Sequence, residues 1–362
     1  MNLEYPLKPG SRIGILGGGQ LGRFLALAAA DLGFVCHVYC PEENAPAFAV
    51  AGAQSCAAYE DETALAAFAR DVDVVTYEFE NIPAASLAYL DAHVCIRPGL
   101  MALEVSQDRL VEKNFLVENQ IRVAPYRDVQ GRDGLMEALD IVGLPAIVKT
   151  RRFGYDGKGQ VLIRSREEAF GALAQIGDQP AILEGVVDFS CEISVVIACS
   201  SDGVHESYDP GRNIHKNHIL DETRVPAGIP SGTEAEALRI AAHIAVALSY
   251  TGVLAVEMFV PSDGRGLIVN EIAPRVHNSG HWTLDGAYAS QFEQHIRAIA
   301  GWPLRHAGRH SDVVMKNLIG DDIGAWLDLA GDSDCAVHLY GKTEIREGRK
   351  MGHITKLSGQ SG

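Results

Sequence analysis

Two acidic residues stand in strongly apolar stretches of the chain, Glu257 in VLAVEMFV and Glu271 in LIVNEIAP. If the turn between them centres on Gly264, both lie seven positions from that centre and face each other on an antiparallel hairpin. Two like charges so placed destabilise a hairpin unless a cation lies between them. Mg²⁺ prefers one or two carboxylates together with phosphate oxygens. We therefore predict a metal site here, for Mg²⁺ or alternatively Mn²⁺, over the simpler alternative of an exposed pair on a solvated sheet face.

A glycine-rich segment follows Lys149, which closes the apolar run Pro145–Val148. The segment reads RRFGYDGKGQ, and its glycines Gly154, Gly157 and Gly159 let backbone N–H groups approach phosphates closely. Lys149 would add a point charge for the same phosphates. A polar surface hairpin is the alternative, but such a loop does not need three glycines, a lysine and two arginines together. The pattern is not a Walker loop, because no Gly-Lys-Ser/Thr opens a helix.

A second glycine cluster, IGILGGGQLG at Ile13–Gly22, satisfies G-x-G-x-x-G between a predicted strand and a predicted helix. A dinucleotide site would need an acid about 20 residues on to hold the ribose, for which Glu42 is the candidate. A tight strand-to-helix turn is the structural alternative. We favour a substrate phosphate at this helix end, where the amides and the helix dipole attract anions, with Gln20 as an added polar contact.

The segment RVHNSGH, Arg275–His281, comes directly after Glu271. Arginine, histidine, asparagine and serine on a loop beside a metal make a natural receptor for a second, anionic substrate. A single histidine of this kind is more often structural, but the cluster next to Glu271 favours function. His277 fits either a proton shuttle or a hydrogen-bonding anchor, and the sequence does not separate the two.

Composition narrows the class of protein. The 362 residues carry a net charge of −16, which disfavours nucleic acid as a partner. No apolar run reaches the roughly 18 residues of a membrane span, and Met1–Gly10 lacks the profile of a secretory signal. The seven cysteines include no Cys-x-x-Cys pair, which argues against a zinc site and a disulfide framework. We expect an enzyme of a reducing, cytoplasmic environment.

Strands alternate with helices over residues 11–124, which predicts a parallel, helix-covered sheet. Beyond Pro125 the pattern favours antiparallel hairpins, so the fold class is α/β in the N-terminal part and α+β overall. Boundaries are expected near Arg122–Pro125 and Gly301–Pro303. The predicted strands are Arg12–Leu16, Val35–Tyr39, Val72–Tyr77, Pro145–Lys149, Gln160–Arg164, Ala181–Glu184, Glu192–Ala198, Val253–Val260 and Leu267–Ile272. The predicted helices are Leu21–Leu32, Glu62–Ala69, Thr233–Ser249 and Gln291–Ala300.

Six motifs, in order along nearly the whole chain, resemble those of the ATP-grasp enzymes, and within them the 5-(carboxyamino)imidazole ribonucleotide synthase branch of purine biosynthesis. These are GGGQLGR (Gly17–Arg23), YEFENIP (Tyr77–Pro83), DRLVEK (Asp108–Lys113), FGYDGKGQ (Phe153–Gln160), NEIAPRVHNSGHW (Asn270–Trp282) and REGRKMGH (Arg346–His353). The resemblance implies a pre-ATP-grasp domain over residues 1–122, an ATP-grasp domain over 123–302 with its lid at about 123–190, and a C-terminal region over 303–362 that packs on the body. It also implies a homodimer.

The resemblance assigns roles residue by residue. It implies catalytic roles for Arg275, His277 and Lys149, and magnesium ligation by Glu257 and Glu271. It places ATP against Arg109, Lys149, Gly154, Tyr155, Asp156, Gly157, Lys158, Gly159, Gln160, Glu184, Val187, Glu192, His215, Asn270 and Glu271, with Glu184 and Val187 at the adenine and Glu192 at the ribose. It places aminoimidazole ribonucleotide against Gln20, Glu78, Tyr155, Arg275, His277, Asn278, Ser279, Lys342 and Arg349.

The implied reaction joins bicarbonate to aminoimidazole ribonucleotide at the expense of ATP, by way of carboxyphosphate. Three alternatives stay open at this point. A formate-using purine transformylase would share the ATP site. An NAD(P)-dependent oxidoreductase built on GGGQLG would leave the Glu257 and Glu271 pair without a purpose. A non-catalytic nucleotide sensor would bind MgATP and release no phosphate.

Overall fold

The computed structural model describes residues 5–154, 157–177 and 179–359, and it begins with a parallel sheet of five strands. The strand order is β3-β2-β1-β4-β5, and every pairing is parallel, as the alternating pattern predicted. The elements are β1 Arg12–Leu16, α1 Gln20–Asp31, β2 Val35–Cys40, β3 Ala53–Cys56, α2 Glu62–Asp71, β4 Val74–Tyr77, α3 Ala84–Asp91, β5 Cys95–Ile96, α4 Leu100–Ser106 and α5 Arg109–Glu118. The chain reverses its direction of winding between β1 and β4, the place where open parallel sheets bind ligands.

The next unit is an antiparallel sheet of four strands in the order β6-β9-β7-β8. Its elements are β6 Tyr126–Val129, α6 Gly131–Val142, β7 Ala146–Thr150, β8 Gln160–Ile163, α7 Ala169–Ile176 and β9 Ala181–Gly185. Lys149 pairs with Gln160 in the hairpin of β7 and β8, which confirms the predicted hairpin around the glycine-rich loop. Tyr155 and Asp156, both predicted site residues, lie outside the described residues.

The remaining strands form one sheet in the order β15-β14-β10-β12-β13-β16-β18-β17, with β11 paired to β10. The strands β16 to β18 extend this sheet through β13, so the C-terminal region is continuous with the body. The elements are β10 Phe189–Cys199, β11 His205–Ser207, β12 Gly211–Lys216, β13 Ile219–Val225, α8 Ser231–Ala247, β14 Gly252–Pro261, β15 Ile268–Ala273, α9 Thr283–Gly286, α10 Gln291–Ala300, β16 Asp312–Ile319, α11 Trp326–Gly331, β17 Cys335–Leu339 and β18 Lys350–Ser358.

Helices α1 and α10 join the N-terminal sheet to the body. Phe24 of α1 and Phe292 of α10 are buried, with ring centroids 5.0 Å apart. Ser290 caps α10 by accepting from the Glu293 amide at 3.1 Å, and Gly301 ends it in the left-handed conformation. In the part of the chain that the structure describes, no helix combines the length and apolar character needed to cross a bilayer.

Candidate active site

The two carboxylates of the predicted metal site face each other in the structure. Glu257 on β14 pairs with Glu271 on β15, as the position of the turn predicted. The register is not uniform, because Met258 pairs with Val269 and leaves Asn270 as an extra residue on β15. This bulge lies between the carboxylate pair and the turn, so the assumed regular ladder is wrong near the turn but correct at the pair.

The two carboxylates differ in their electrostatic surroundings. Burial, and then the charge of Glu271, raises the pKa of Glu257 to about 8. Burial also acts on Glu271, but Arg109, whose Nη1 lies 3.3 Å from Glu271 Oε2, and Lys149 outweigh it and lower the pKa of Glu271. His277 Nδ1 lies 3.8 Å from Glu257 Oε1. A hard divalent cation fits a pair of facing carboxylates whose charges otherwise repel.

The pair supplies only part of a coordination shell. Among residues 5–154, 157–177 and 179–359, no three His, Cys, Asp or Glu side chains cluster as a complete metal site. Mg²⁺ usually keeps several waters and takes phosphate oxygens from its substrate. The arrangement at Glu257 and Glu271 therefore suits a cation that arrives with a nucleotide.

Cationic side chains for phosphates lie beside the pair. Lys149, at the C-terminal end of β7, is buried, and its Nζ donates to Glu184 Oε2 at 2.9 Å. Burial lowers the pKa of Lys149, in spite of the opposing charge of Glu184. Arg109 Nη2 donates to the carbonyl oxygen of Gly154 at 3.3 Å, so the same guanidinium touches the glycine-rich loop and Glu271.

Glu184 was expected at the adenine, and the structure places its carboxylate inside the protein. Burial would raise its pKa, but Lys113 and Lys149 outweigh burial and lower the pKa to about 2. Its Oε2 is taken by Lys149, whereas Oε1 has no hydrogen-bond partner among the described residues. Val187, the other predicted adenine contact, is half-buried in the connection between β9 and β10. The adenine contacts stay predictions.

The ribose end of the predicted nucleotide site is formed by neighbouring strands. Glu192 on β10 pairs across to Asn213 on β12, and Glu192 Oε2 lies 2.8 Å from His215 Nδ1. Burial opposes the charged imidazole, but the bond to Glu192 outweighs it and raises the pKa of His215. Phe259, which pairs with Glu192 and lies two positions from Glu257, shares this face. The sequence analysis did not place Phe259 on this face, although its position two residues after Glu257 on one strand would have predicted it.

The glycine-rich loop is held in a conformation that favours glycine. Gly157 and Gly159 have φ of 78° and 70°. A Cβ at Gly157 would lie 2.5 Å from the Cβ of His218, so the loop approaches the β12–β13 turn closely. Lys158 is exposed, and Gln160 is the first residue of β8. Both residues were predicted to contact ATP, and both lie on the β7–β8 hairpin that also carries Lys149.

Two backbone amides of the first glycine cluster bind a carboxylate of the protein itself. The Gly22 amide donates to Glu78 Oε2 at 2.7 Å, and the Gly19 amide donates to Glu78 Oε1. A Cβ at Gly19 would lie 2.6 Å from Glu78 Oε1. The protein's own carboxylate therefore binds these two amides at the start of α1. A substrate phosphate elsewhere at this helix end stays a prediction. Gln20, the first residue of that helix, is partly buried beside it.

Glu78 lies among the residues predicted for the second substrate. Burial raises the pKa of Glu78, although the two amides and then Arg275 and Lys342 oppose that rise. Arg275 Nη2 is 2.5 Å from Glu80 Oε1. Lys342 Nζ donates to the carbonyl oxygen of Lys350 at 2.7 Å. Carboxylates and cations therefore share one site next to the metal pair.

The loop after β15 is fixed by hydrogen bonds. His277 Nδ1 is 2.9 Å from Ser279 Oγ, and its backbone amide donates to Gln291 Oε1 at 2.9 Å. Burial, and then Arg275, lowers the pKa of His277 well below its ordinary value, so its imidazole is neutral near pH 7. Asn278 exchanges two side-chain hydrogen bonds with Asn317 of β16, at 3.0 and 2.7 Å. These contacts order the predicted receptor loop.

The C-terminal strands contribute further cations. Arg349 Nη1 donates to the carbonyl oxygen of Glu344 within the loop that precedes β18, at 2.9 Å. Lys350, which the sequence analysis did not single out, is close enough to counter the rise in the pKa of Glu257. The sequence feature that could have identified Lys350 is its position in the REGRKMGH motif.

Comparison with known proteins decides the family. The chain matches the ribonucleotide synthetase preATP-grasp domain over residues 11–107, the ATP-grasp domain over 114–292, and the phosphoribosylaminoimidazole carboxylase C-terminal domain over 313–361. It is 51% identical over 354 residues to the N5-carboxyaminoimidazole ribonucleotide synthase of Brucella melitensis, covering 97% of each chain. The chain belongs to the N5-carboxyaminoimidazole ribonucleotide synthase family.

Solved structures of this family have the same fold. An ADP complex of an N5-carboxyaminoimidazole ribonucleotide synthetase superposes with a TM-score of 0.94 at 42% identity, over 97% of this chain and 93% of that one. The enzyme from Aspergillus clavatus, in complex with ADP and 5-aminoimidazole ribonucleotide, gives a TM-score of 0.90 at 28% identity over 97% and 94%. The resemblance inferred from the motifs is confirmed. The chain is an ATP-grasp ligase with ATP as co-substrate.

Proposed function

We propose that this enzyme carboxylates 5-aminoimidazole ribonucleotide with bicarbonate, consumes ATP, and releases ADP and phosphate in purine biosynthesis. The observation that carries the proposal is the facing pair of Glu257 and Glu271, with Lys149 and Arg109 beside it and the Arg275 loop directly after it. Cations suited to phosphates, a carboxylate pair suited to a metal and a loop suited to a second substrate thus lie next to one another. The relatives' names, and the bound ribonucleotide in the Aspergillus structure, support the choice of substrate.

The first step activates bicarbonate, which is a poor electrophile without a leaving group. A bicarbonate oxygen forms a bond to the γ-phosphorus of ATP, the bond from that phosphorus to the β-phosphate oxygen breaks, and ADP leaves. The product is carboxyphosphate. Catalysis of such a transfer is mostly positioning and neutralisation of charge. Lys149 and Arg109 supply fixed positive charge, and the loop around Gly154 supplies backbone N–H groups.

The second step joins carbon to nitrogen. The exocyclic amine of 5-aminoimidazole ribonucleotide attacks the carboxyl carbon, or the carbon dioxide released from it, while the bond to phosphate breaks and the amine loses a proton. Arg275 holds the anion. The imidazole of His277, which is neutral, either passes that proton on or anchors the substrate by a hydrogen bond. Closure of the predicted lid, with its glycine-rich loop, would exclude water during the lifetime of carboxyphosphate.

Glu257 and Glu271 are the proposed ligands of Mg²⁺, with Mn²⁺ as a substitute. When bound with ATP, the cation would neutralise the charge that develops on the β- and γ-phosphate oxygens. The remaining predictions also belong to the proposal. The enzyme is expected to act as a cytoplasmic homodimer, on small molecules and without a nucleic-acid or membrane partner.

Steady-state formation of ADP tests the proposed reaction. We expect turnover that requires both 5-aminoimidazole ribonucleotide and bicarbonate, with the carboxylated ribonucleotide formed in equal amount. Formate in place of bicarbonate should give no product. Formate-dependent turnover would favour the transformylase alternative, and MgATP binding without any release of phosphate would favour a sensor.

A further inference from the structure

Two consecutive charged residues of α5, Glu112 and Lys113, are buried but have no role in the chemistry above. Glu112 is 2% exposed and Lys113 is 1% exposed. Charged side chains are almost never buried to this extent unless they are paired and hydrogen-bonded. Their partners therefore indicate what the protein gains from burying them.

Both side chains bind the main chain on either side of Glu271. Lys113 Nζ donates to the carbonyl oxygen of Asn270 at 2.7 Å. The backbone amide of Ile272 donates to Glu112 Oε1. The first carbonyl belongs to the peptide group before Glu271, and the second amide to the peptide group after it. Helix α5 thus holds both peptide groups that orient this residue.

The same helix face also reaches the carboxylate itself. Arg109, Glu112 and Lys113 have the spacing i, i+3 and i+4, which places three side chains together on one side of a helix. Arg109 Nη1 lies 3.3 Å from Glu271 Oε2. One face of α5 therefore contacts the side chain of Glu271 and both of its flanking peptides.

Strand β15 needs such support at this point. It is an edge strand of the body sheet, and on its outer side the described residues include one isolated bridge, between Val269 and Val123, in place of a full neighbouring strand. The bulge at Asn270 interrupts its ladder with β14 next to Glu271. Repulsion from Glu257 would also push the side chain of Glu271 away from the position that a cation needs.

We propose that Glu112 and Lys113 are positioning residues for the divalent cation. By binding the peptide groups before and after Glu271, they hold its carboxylate in place to bind the cation, and we call this pair of contacts the clamp. The inference rests on the proposed metal site. Lys113 Nζ also lies 3.8 Å from Glu184 Oε2, the partner of Lys149. Through Glu184, Lys113 of the clamp therefore connects β15 with Lys149, the lysine predicted to bind phosphate.

Mn²⁺ binding tests the clamp, measured by calorimetry as the gain in affinity for ADP when Mn²⁺ is present. Lys113→Met and Glu112→Leu remove one contact of the clamp each and should weaken Mn²⁺ binding by about 10- to 100-fold, the usual effect of losing a residue that supports a metal ligand. Glu112→Gln keeps an oxygen acceptor for the Ile272 amide and should restore binding close to that of the wild type. Glu118→Gln, exposed on the same helix, is the matched control.

A second readout separates positioning from general damage. The affinity for ADP without metal, measured by calorimetry, should be the same in all variants. Unchanged Mn²⁺ affinity in Lys113→Met and Glu112→Leu would overturn the inference, as would an equal loss of metal-free ADP binding. If Glu112→Leu does not fold, Lys113→Met decides alone. Failure of the wild type to bind Mn²⁺ would instead contradict the proposed metal site, and the clamp with it.

Discussion

Lys149 Nζ lies 2.9 Å from Glu184 Oε2, and both side chains are buried on neighbouring strands of the four-stranded sheet. Each charge makes the burial of the other tolerable. Glu184→Leu should therefore lower the free energy of unfolding by about 3–5 kcal/mol, because it removes one partner of a buried pair. The double variant Lys149→Met/Glu184→Leu should recover part of that loss. Urea unfolding measures the free energy of unfolding of each variant. A loss in the double variant equal to the sum of the two single-variant losses would contradict the pairing.

The contact between Glu78 and the start of α1 gives a second prediction. Gly19→Ala would place a Cβ 2.6 Å from Glu78 Oε1 and displace that carboxylate. We expect kcat/KM for 5-aminoimidazole ribonucleotide to fall by on the order of 100-fold, as misplacement of a site residue commonly causes. Gly99→Ala is the matched control, because Gly99 also precedes a helix but has open space at its Cβ. Equal kinetics of the two variants would argue against a role for Glu78.

The sequence predicted the carboxylate pair because a hairpin turn fixes which residues face each other. It did not predict the bulge at Asn270, since contacts with α5, far away in sequence, hold that part of β15. The hydrophobic pattern likewise located the strands on either side of the glycine-rich loop, where local alternation is clear.

The GGGQLG cluster shows the opposite case. Its glycines and helix correctly indicated an anion position, but the occupant is Glu78, a residue 56 positions beyond Gly22. Local sequence cannot show which distant side chain fills such a position. The strands β16 to β18 were also missed as members of the body sheet, because long-range pairing with β13 determines their place.

Acid should destabilise the protein through His295, whose ring bonds Thr76 Oγ1 at 2.7 Å and accepts from the Val253 amide at 3.0 Å. Burial lowers the pKa of His295 to about 3. The unfolded chain, with a histidine pKa near 6.5, binds more protons between these values, so stability falls as pH drops from about 6.5 toward 3. Each such histidine contributes up to about 1.4 kcal/mol per pH unit.

Urea unfolding at several pH values measures this slope. His295→Gln should show a shallower dependence on pH than the wild type, whatever its absolute stability. The exposed His306 supplies the control, and His306→Gln should keep the wild-type slope. An unchanged slope in His295→Gln would show that this histidine is not the acid-sensitive contact.

Glu257 and Glu271 are the proposed ligands of the divalent cation, which would neutralise charge on the phosphates of ATP. The most direct measurement is bicarbonate-dependent ADP formation by Glu271→Ala, beside the wild type and the exposed control Glu137→Ala. We expect Glu137→Ala to match the wild type, and Glu271→Ala to lose this activity at every Mg²⁺ concentration while keeping a native circular dichroism spectrum. Retained bicarbonate-dependent ADP formation in Glu271→Ala would contradict the assignment of the metal site.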